Sequence, residues 1–248
     1  MTSTHTEPGR TETISDLGGF MVQPFSGVKE AADWMLNGPS GRYSGAAIAL
    51  NAEKIVDSYA NPGRLDSVKP FSFFYADGIS VVWLLRRYGV ETSRVPGVEL
   101  WEEVMKRVGE LGLRLYLLGA SEEVNSATAE KLAIQYGVTE IERHHGYFEN
   151  EEQIISDIKT YRPDVVTVAM GSPRQEEFIA SAYRAVPEAL YMGVGGSYDV
   201  YTGRVKRAPW WLRNNGLEFL YRFVVNPRRA RRYLRLFTFL YLYVSRKI

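Results

Sequence analysis

The sequence predicts an α/β fold, a mostly parallel sheet covered by helices on both faces. Short, nearly unbroken apolar runs alternate with amphipathic stretches along most of the 248 residues. Each run ends in a turn rich in Gly, Asp or Asn. Such runs lack the in–out alternation of a half-solvated strand, so both faces must be buried, and parallel strands joined by helices achieve that. After residue 204 the pattern changes to helix with arginines and aromatics interleaved. A Rossmann-like core with a helical, basic C-terminal appendage is expected.

Taken in order, residues 1–19 read as a mobile leader of Thr, Ser, Glu and Gly. An amphipathic stretch near 27–37 precedes the first buried run, 46–50. A helical pattern at 53–60 leads to the run 71–75, and two more, 78–88 and 98–111, lead to 113–118. Stretches near 122–136 and 151–161 precede 165–170, and one near 174–185 precedes 190–194. The expected division is a leader (1–19), an α/β core (20–205) and an appendage (206–248).

Composition narrows the function classes. Hydrophobic residues make up 45% and charged residues 24%, the balance of a globular protein. The net charge of +1 conceals an asymmetry. Residues 204–248 hold twelve Lys and Arg against one acid, Glu218, a net +11, which leaves −10 on residues 1–203. A basic tail on an acidic body implies an anionic partner. The absence of cysteine excludes a disulfide framework, a thiolate zinc site and a cysteine nucleophile. The polar N-terminus lacks the apolar run of a signal peptide, so export is not expected. The longest apolar stretch, 233–244, includes Arg235 and is too short to cross a bilayer.

In open α/β sheets, ligands sit beyond the carboxyl ends of the strands. Five turns lie there: Asn51-Ala52-Glu53-Lys54, Ala76-Asp77-Gly78, Gly119-Ala120-Ser121, the segment from Gly171 to Glu176, and the segment from Gly195 to Asp199. Asp77 in a partly dehydrated crevice can act as a general base on a hydroxyl, or can cap the helix starting at Gly78. Asn51 reads as a polar ligand-binding group or a turn residue. Gln175, behind a helix start formed by Pro173, can hydrogen-bond a sugar. Gly195 and Gly196 let backbone approach a ligand, or simply make a tight turn. His144 and His145 lack neighbouring acids at ligand spacing, and no Asp-X-Asp triplet occurs, so no metal is expected. Neither GxGxxG nor a P-loop is present. The tail, with Arg228, Arg229, Arg231, Arg232 and Arg235 beside Tyr233, Phe237, Phe239 and Tyr241, has the composition of a membrane-interface segment. A nucleic-acid patch and an Arg-rich helix packed on the body are the competing readings. RNA binding would place aromatics on a sheet, so no nucleic-acid partner is expected.

Longer strings add to this. ALNAEKI (49–55), YADGISVV (75–82), SRVPGVELW (93–101), LYLLGAS (115–121), HHGYF (144–148), VTVAMGSPRQEEF (166–178), YMGVGGSYDVYTGRVKRAP (191–209) and GLEFLYRFVVNPRR (216–229) resemble the WecG/TagA/CpsF glycosyltransferases. The resemblance runs in order over residues 20–235 and is closest to the WecG branch. It implies an inverting, metal-independent enzyme without a cofactor. Its donor would be UDP-N-acetylmannosaminuronate, and its acceptor undecaprenyl-diphosphate-linked GlcNAc, in enterobacterial common antigen synthesis. It also implies a peripheral site on the cytoplasmic face of the inner membrane, against anionic lipids. By the same resemblance Asp77 is the base, Arg94 acts near the diphosphate or acceptor, and Gln175 belongs to the binding motif. Arg222, Arg229 and Arg232 would close over the diphosphate when the appendage folds against the core. Ala49 stands where the TagA branch has Thr. Lys54 is a candidate cation for a uronate carboxylate, or a solvated helix residue.

Overall fold

The computed structural model describes residues 15–17, 19–38, 40–209, 212 and 230–248. The chain runs through β1 (Ser15–Asp16), β2 (Met21–Val22), α1 (Val28–Asn37), β3 (Gly45–Leu50), α2 (Ala52–Ala60), β4 (Ser72–Ala76) and α3 (Ile79–Arg87). It continues through α4 (Gly97–Leu111), β5 (Leu115–Gly119), α5 (Glu122–Tyr136), β6 (Ile141–His144), α6 (Glu151–Tyr161) and β7 (Val165–Ala169). Then follow α7 (Arg174–Ala185), β8 (Leu190–Gly193), α8 (Ser197–Tyr201) and the C-terminal α9 (Ala230–Val244).

The strands form one sheet in the order β1-β2-β4-β3-β8-β7-β5-β6. All neighbours pair parallel except β1 with β2. The predicted α/β architecture is present. Its five apolar runs are the five adjacent strands β4, β3, β8, β7 and β5, and four of them are buried along their whole length. Three strands were not foreseen. β1 and β2 are two residues each, too short for a period to register, and β1 draws Ser15 and Asp16 from the expected leader into the sheet. β6 (IERH) is an edge strand without a fully buried residue, so no apolar run marks it.

Side chains alternate between two cores because successive strand residues point to opposite faces. Ile48, Leu50, Phe74, Tyr116, Leu118, Val166 and Val168 pack beneath α2, α3, α6 and α7. Ala47, Phe73, Tyr75, Leu117, Leu190 and Met192 face α1, α4, α5 and α8, where Trp101 is fully buried. Helix ends follow local chemistry: Asn51, Ser121 and Asn150 each cap a helix through a side-chain oxygen, and Gly112 and Gly137 close α4 and α5 in the left-handed region.

The basic tail packs on the body. Phe239 and Leu242 of α9 are buried in the first core, and Arg235 reaches Glu53 and Asp57 of α2 at 3.3 Å each. Arg87 of α3 donates to the Tyr243 carbonyl, its guanidinium lying over the Tyr243 ring. Part of the positive charge that the sequence assigns to an external anion is thus met by the acidic core. The opposite face of α9 exposes Phe237, Leu240, Tyr241 and Val244.

Candidate active site

The order of the sheet changes direction between β3 and β8. From β3 the chain steps outward to β4, whereas β8 is reached from β7 on the other side. A crevice opens at such a switch point, beyond the carboxyl ends of the strands. The turns bearing Asn51, Asp77, Gly171 and Gly195 sit there.

Asp77 follows β4 directly and is half-buried. Its backbone N–H donates to the Leu50 carbonyl at 3.1 Å, tying the ends of β4 and β3 together. Its carboxylate does not cap α3, whose N-cap is Gly78 without a side-chain bond. Instead Oδ1 accepts from the Gly97 N–H, the first residue of α4, at 2.8 Å. The helix end and this N–H fix the carboxylate from one side. Among the described residues, Oδ2 makes no side-chain hydrogen bond.

Segment 94–97 is laid along the end of β4 by a bond from Val95 N–H to the Ala76 carbonyl at 2.8 Å. It brings Arg94 to the site, with Nε donating to the Asp77 carbonyl at 2.8 Å. The two residues that the motifs singled out are therefore in contact, 17 positions apart in the chain. Gly97 is packed closely. A Cβ there would lie 3.2 Å from Tyr75 Oη, 3.7 Å from Asp77 Oδ1 and 3.8 Å from Ala49 Cβ. Ala49 thus lines the same corner as the base candidate. Burial, and secondarily the Asp77 charge, push the Tyr75 phenol far above its usual range, so it stays a neutral hydroxyl at any working pH.

Asn51 caps α2, its Oδ1 accepting from Lys54 N–H at 3.1 Å, so the turn reading of this residue holds in the structure. Gly78 presses against it: a Cβ on Gly78 would be 3.3 Å from Asn51 Cβ. Lys54 is not a solvated helix residue. Its Nζ donates to the Ala49 carbonyl at 3.1 Å and pairs with Glu176 at 2.9 Å. Gln175 is buried, with Oε1 accepting from the N–H groups of Gly171 (3.2 Å) and Gly195 (3.0 Å). Its amide therefore joins two turns of the crevice. Gly195 has φ +53°, and neither it nor Gly196 would bring a Cβ within 4 Å of anything, so that turn borders open space.

Arg222 and Arg229 lie outside the described residues. Arg232 lies in α9, and its side chain is outside them as well. Arg207 was not singled out by the sequence reading. Its Nη2 donates to Glu99 in the first turn of α4 at 2.8 Å, bringing the start of the appendage to the helix that holds Asp77. Tyr75, Gly97 and Glu176 were missed too. Tyr75 reads as an ordinary core residue of an apolar run, and the other two gain their meaning from elements distant in sequence.

His144 and His145 are occupied locally, Nδ1 of the first with the His145 carbonyl and Nδ1 of the second with Tyr147 N–H. Among the described residues, no group of three or more His, Asp or Glu side chains is gathered in one place.

Residues 16–248, nearly the whole chain, match the glycosyl transferase WecG/TagA/CpsF family. The chain belongs to that family. Its parallel sheet, with an acid at the end of β4 and glycine turns at β7 and β8, is thus the frame of a glycosyltransferase, which works on a sugar donor and an acceptor. No helix among the described residues is long and apolar enough to cross a membrane.

Proposed function

We propose that this glycosyltransferase moves N-acetylmannosaminuronate from UDP-ManNAcA to undecaprenyl-diphosphate-linked GlcNAc. The setting is enterobacterial common antigen or a related envelope polysaccharide, on the cytoplasmic face of the inner membrane. The observation that carries the reading is the Asp77 carboxylate, anchored through Oδ1 on the α4 N-terminus, with Oδ2 free of side-chain bonds among the described residues. Oδ2 takes the proton of the acceptor hydroxyl as that oxygen attacks the anomeric carbon. The new glycosidic bond forms as the bond to UDP breaks, and UDP leaves with the electron pair from the opposite face, inverting the centre. General-base help of this kind contributes roughly 10²–10⁴-fold.

The leaving diphosphate gathers negative charge, which Arg94 and the tail arginines Arg222, Arg229 and Arg232 neutralise in this metal-free reading. Asn51, Gly195 and Gly196 border the donor. The exposed stripe of Phe237, Leu240, Tyr241 and Val244 supports membrane attachment, because positions i, i+3, i+4 and i+7 form one apolar helix face.

One observation favours a second reading, a neutral UDP-N-acetylhexosamine donor. Lys54, the cation offered for a uronate carboxylate, is already paired with Glu176. A panel of UDP-ManNAcA, UDP-ManNAc, UDP-GlcNAc and UDP-Glc with a short-chain polyprenyl-diphosphate-GlcNAc acceptor decides between them. Highest kcat/KM with UDP-ManNAcA is expected. Preference for UDP-ManNAc would replace it by the second reading, and no transfer from any donor would remove both.

A further inference from the structure

A buried ion pair lies among the turns at the carboxyl ends of the strands. The Lys54 side chain is 11% exposed and that of Glu176 is 2% exposed. Lys54 Nζ holds the Ala49 carbonyl at the end of β3 and Glu176 Oε1 at the start of α7. Glu176 Oε1 also accepts from Gln175 Nε2 at 3.2 Å. On its other side, Gln175 Oε1 accepts from Gly171 N–H and Gly195 N–H. One hydrogen-bonded chain therefore crosses the carboxyl ends of three adjacent strands, β3, β8 and β7. Gly193 leaves it room, since a Cβ there would come within 2.7 Å of Gln175 Nε2.

Chemistry fixes the direction of this chain. A carboxylate can only accept, so Glu176 demands the NH2 end of the Gln175 amide. The two backbone N–H groups can only donate, so they demand its oxygen. A flipped amide would face donor to donor at both turns. Lys54 in turn holds the Glu176 carboxylate, which is buried and whose Oε2 has no hydrogen-bond partner among the described residues. Stability alone does not account for such a pair, because apolar residues of similar volume often serve a core as well or better.

We propose that Lys54 and Glu176 are positioning residues: through the Gln175 amide they set the Gly171 and Gly195 turns that face the donor sugar nucleotide. This rests on the crevice being the site of transfer. The pair does its work without touching substrate. Its loss leaves a folded protein whose turns are misplaced.

The test uses the full chain in three forms, wild type, Glu176→Gln and Lys54→Met/Glu176→Leu. Glutamine at 176 is isosteric but uncharged and can donate, so it accepts more weakly from Lys54 and from Gln175 Nε2, and the Gln175 amide is then held by the two glycine N–H groups alone. The double variant removes both charges and keeps the volume apolar. Both variants are expected to melt cooperatively, the double variant near the wild-type temperature and Glu176→Gln below it, because it leaves the Lys54 ammonium without its counter-charge. In both, amide hydrogen exchange at Gly171 and Gly195 should quicken relative to the sheet, and kcat/KM should fall about 10²-fold, the cost of a small misplacement of reacting groups. Wild-type exchange at the two glycines in Glu176→Gln would overturn the proposal, as would a double variant that transfers sugar at the wild-type rate. Should the double variant fail to fold, Glu176→Gln decides alone. Should wild type transfer no sugar at all, the functional reading fails. The brace is then judged by glycine exchange and by UDP affinity in wild type against Glu176→Gln, equal values in both overturning it.

Discussion

Asp77 shows how much one residue's meaning depends on a distant neighbour. An acid before a Gly at a strand end reads as a base or as the cap of the next helix. The structure separates the two oxygens of the carboxylate, with Oδ1 held by α4 and Oδ2 unengaged by other side chains among the described residues. Asp77→Asn keeps an oxygen for Gly97 N–H and loses the basic one. Turnover is expected to drop by roughly 10²–10⁴-fold with the melting temperature and UDP affinity nearly unchanged. Activity within a few-fold of wild type would reduce Asp77 to an anchor for the start of α4. Gly97→Ala probes the same corner, since the added methyl would meet the Tyr75 hydroxyl at 3.2 Å. A lowered kcat in a protein of normal stability is the expected result, and unchanged kcat would show that the corner has slack.

At the scale of the element, α9 has two faces with separate duties. Phe239 and Leu242 fill the core against the body, and Phe237, Leu240, Tyr241 and Val244 face outward. Phe239→Ala should destabilise by about 3–5 kcal/mol, as large-to-small core changes do. Phe237→Ser with Tyr241→Ser should leave stability nearly unchanged, within about 0.5 kcal/mol per surface substitution, yet weaken flotation with anionic vesicles. Thermal melts and flotation on both variants check this pair of outcomes. The opposite assignment of effects would mean that the inner and outer faces are exchanged. Salt should detach the wild type only in part, because screening weakens the charge attraction and spares apolar burial. The sequence, read alone, sets the tail apart as an appendage to the core. The structure makes its loss costly, because each fully buried side chain of this size contributes roughly 1.5–3 kcal/mol.

For the whole molecule, the tyrosines set an alkaline limit. Burial, with added repulsion from neighbouring acids or tyrosines, pushes Tyr43, Tyr161 and Tyr201 up to about 12. Tyr75, Tyr116, Tyr191 and Tyr198 are pushed higher still, again mainly by burial. An unfolded phenol ionises near pH 10. The folded state therefore binds these protons more tightly, so their contribution to stability is whole below about pH 10 and is lost as pH rises further. Melting temperature should hold up to about pH 10 and then fall, with tyrosinate absorbance of the buried rings appearing together with unfolding. Complete tyrosinate absorbance near pH 10 in a protein that is still folded would contradict this.

Local order was legible because it is set locally. Five apolar runs dictated five adjacent strands, turn chemistry offered Asn51 as a turn residue, and the strand-end rule pointed to Asp77, Gln175 and the glycine turns, while Arg94 came from the family resemblance. The sequence alone also determined the charge asymmetry and the family to which the chain belongs. Tertiary structure decided what depends on which elements meet. It gave the Asp77 carboxylate to α4 rather than α3, and it turned Lys54 inward to Glu176. It made Gln175 a brace between two turns, and it spent Arg235 on Glu53 and Asp57. The reason is one of range. Hydrophobic period and turn preference act over a few residues, whereas a charge or an amide takes its partner from whatever the packed helices bring within about 3 Å, and that partner can lie a hundred residues away.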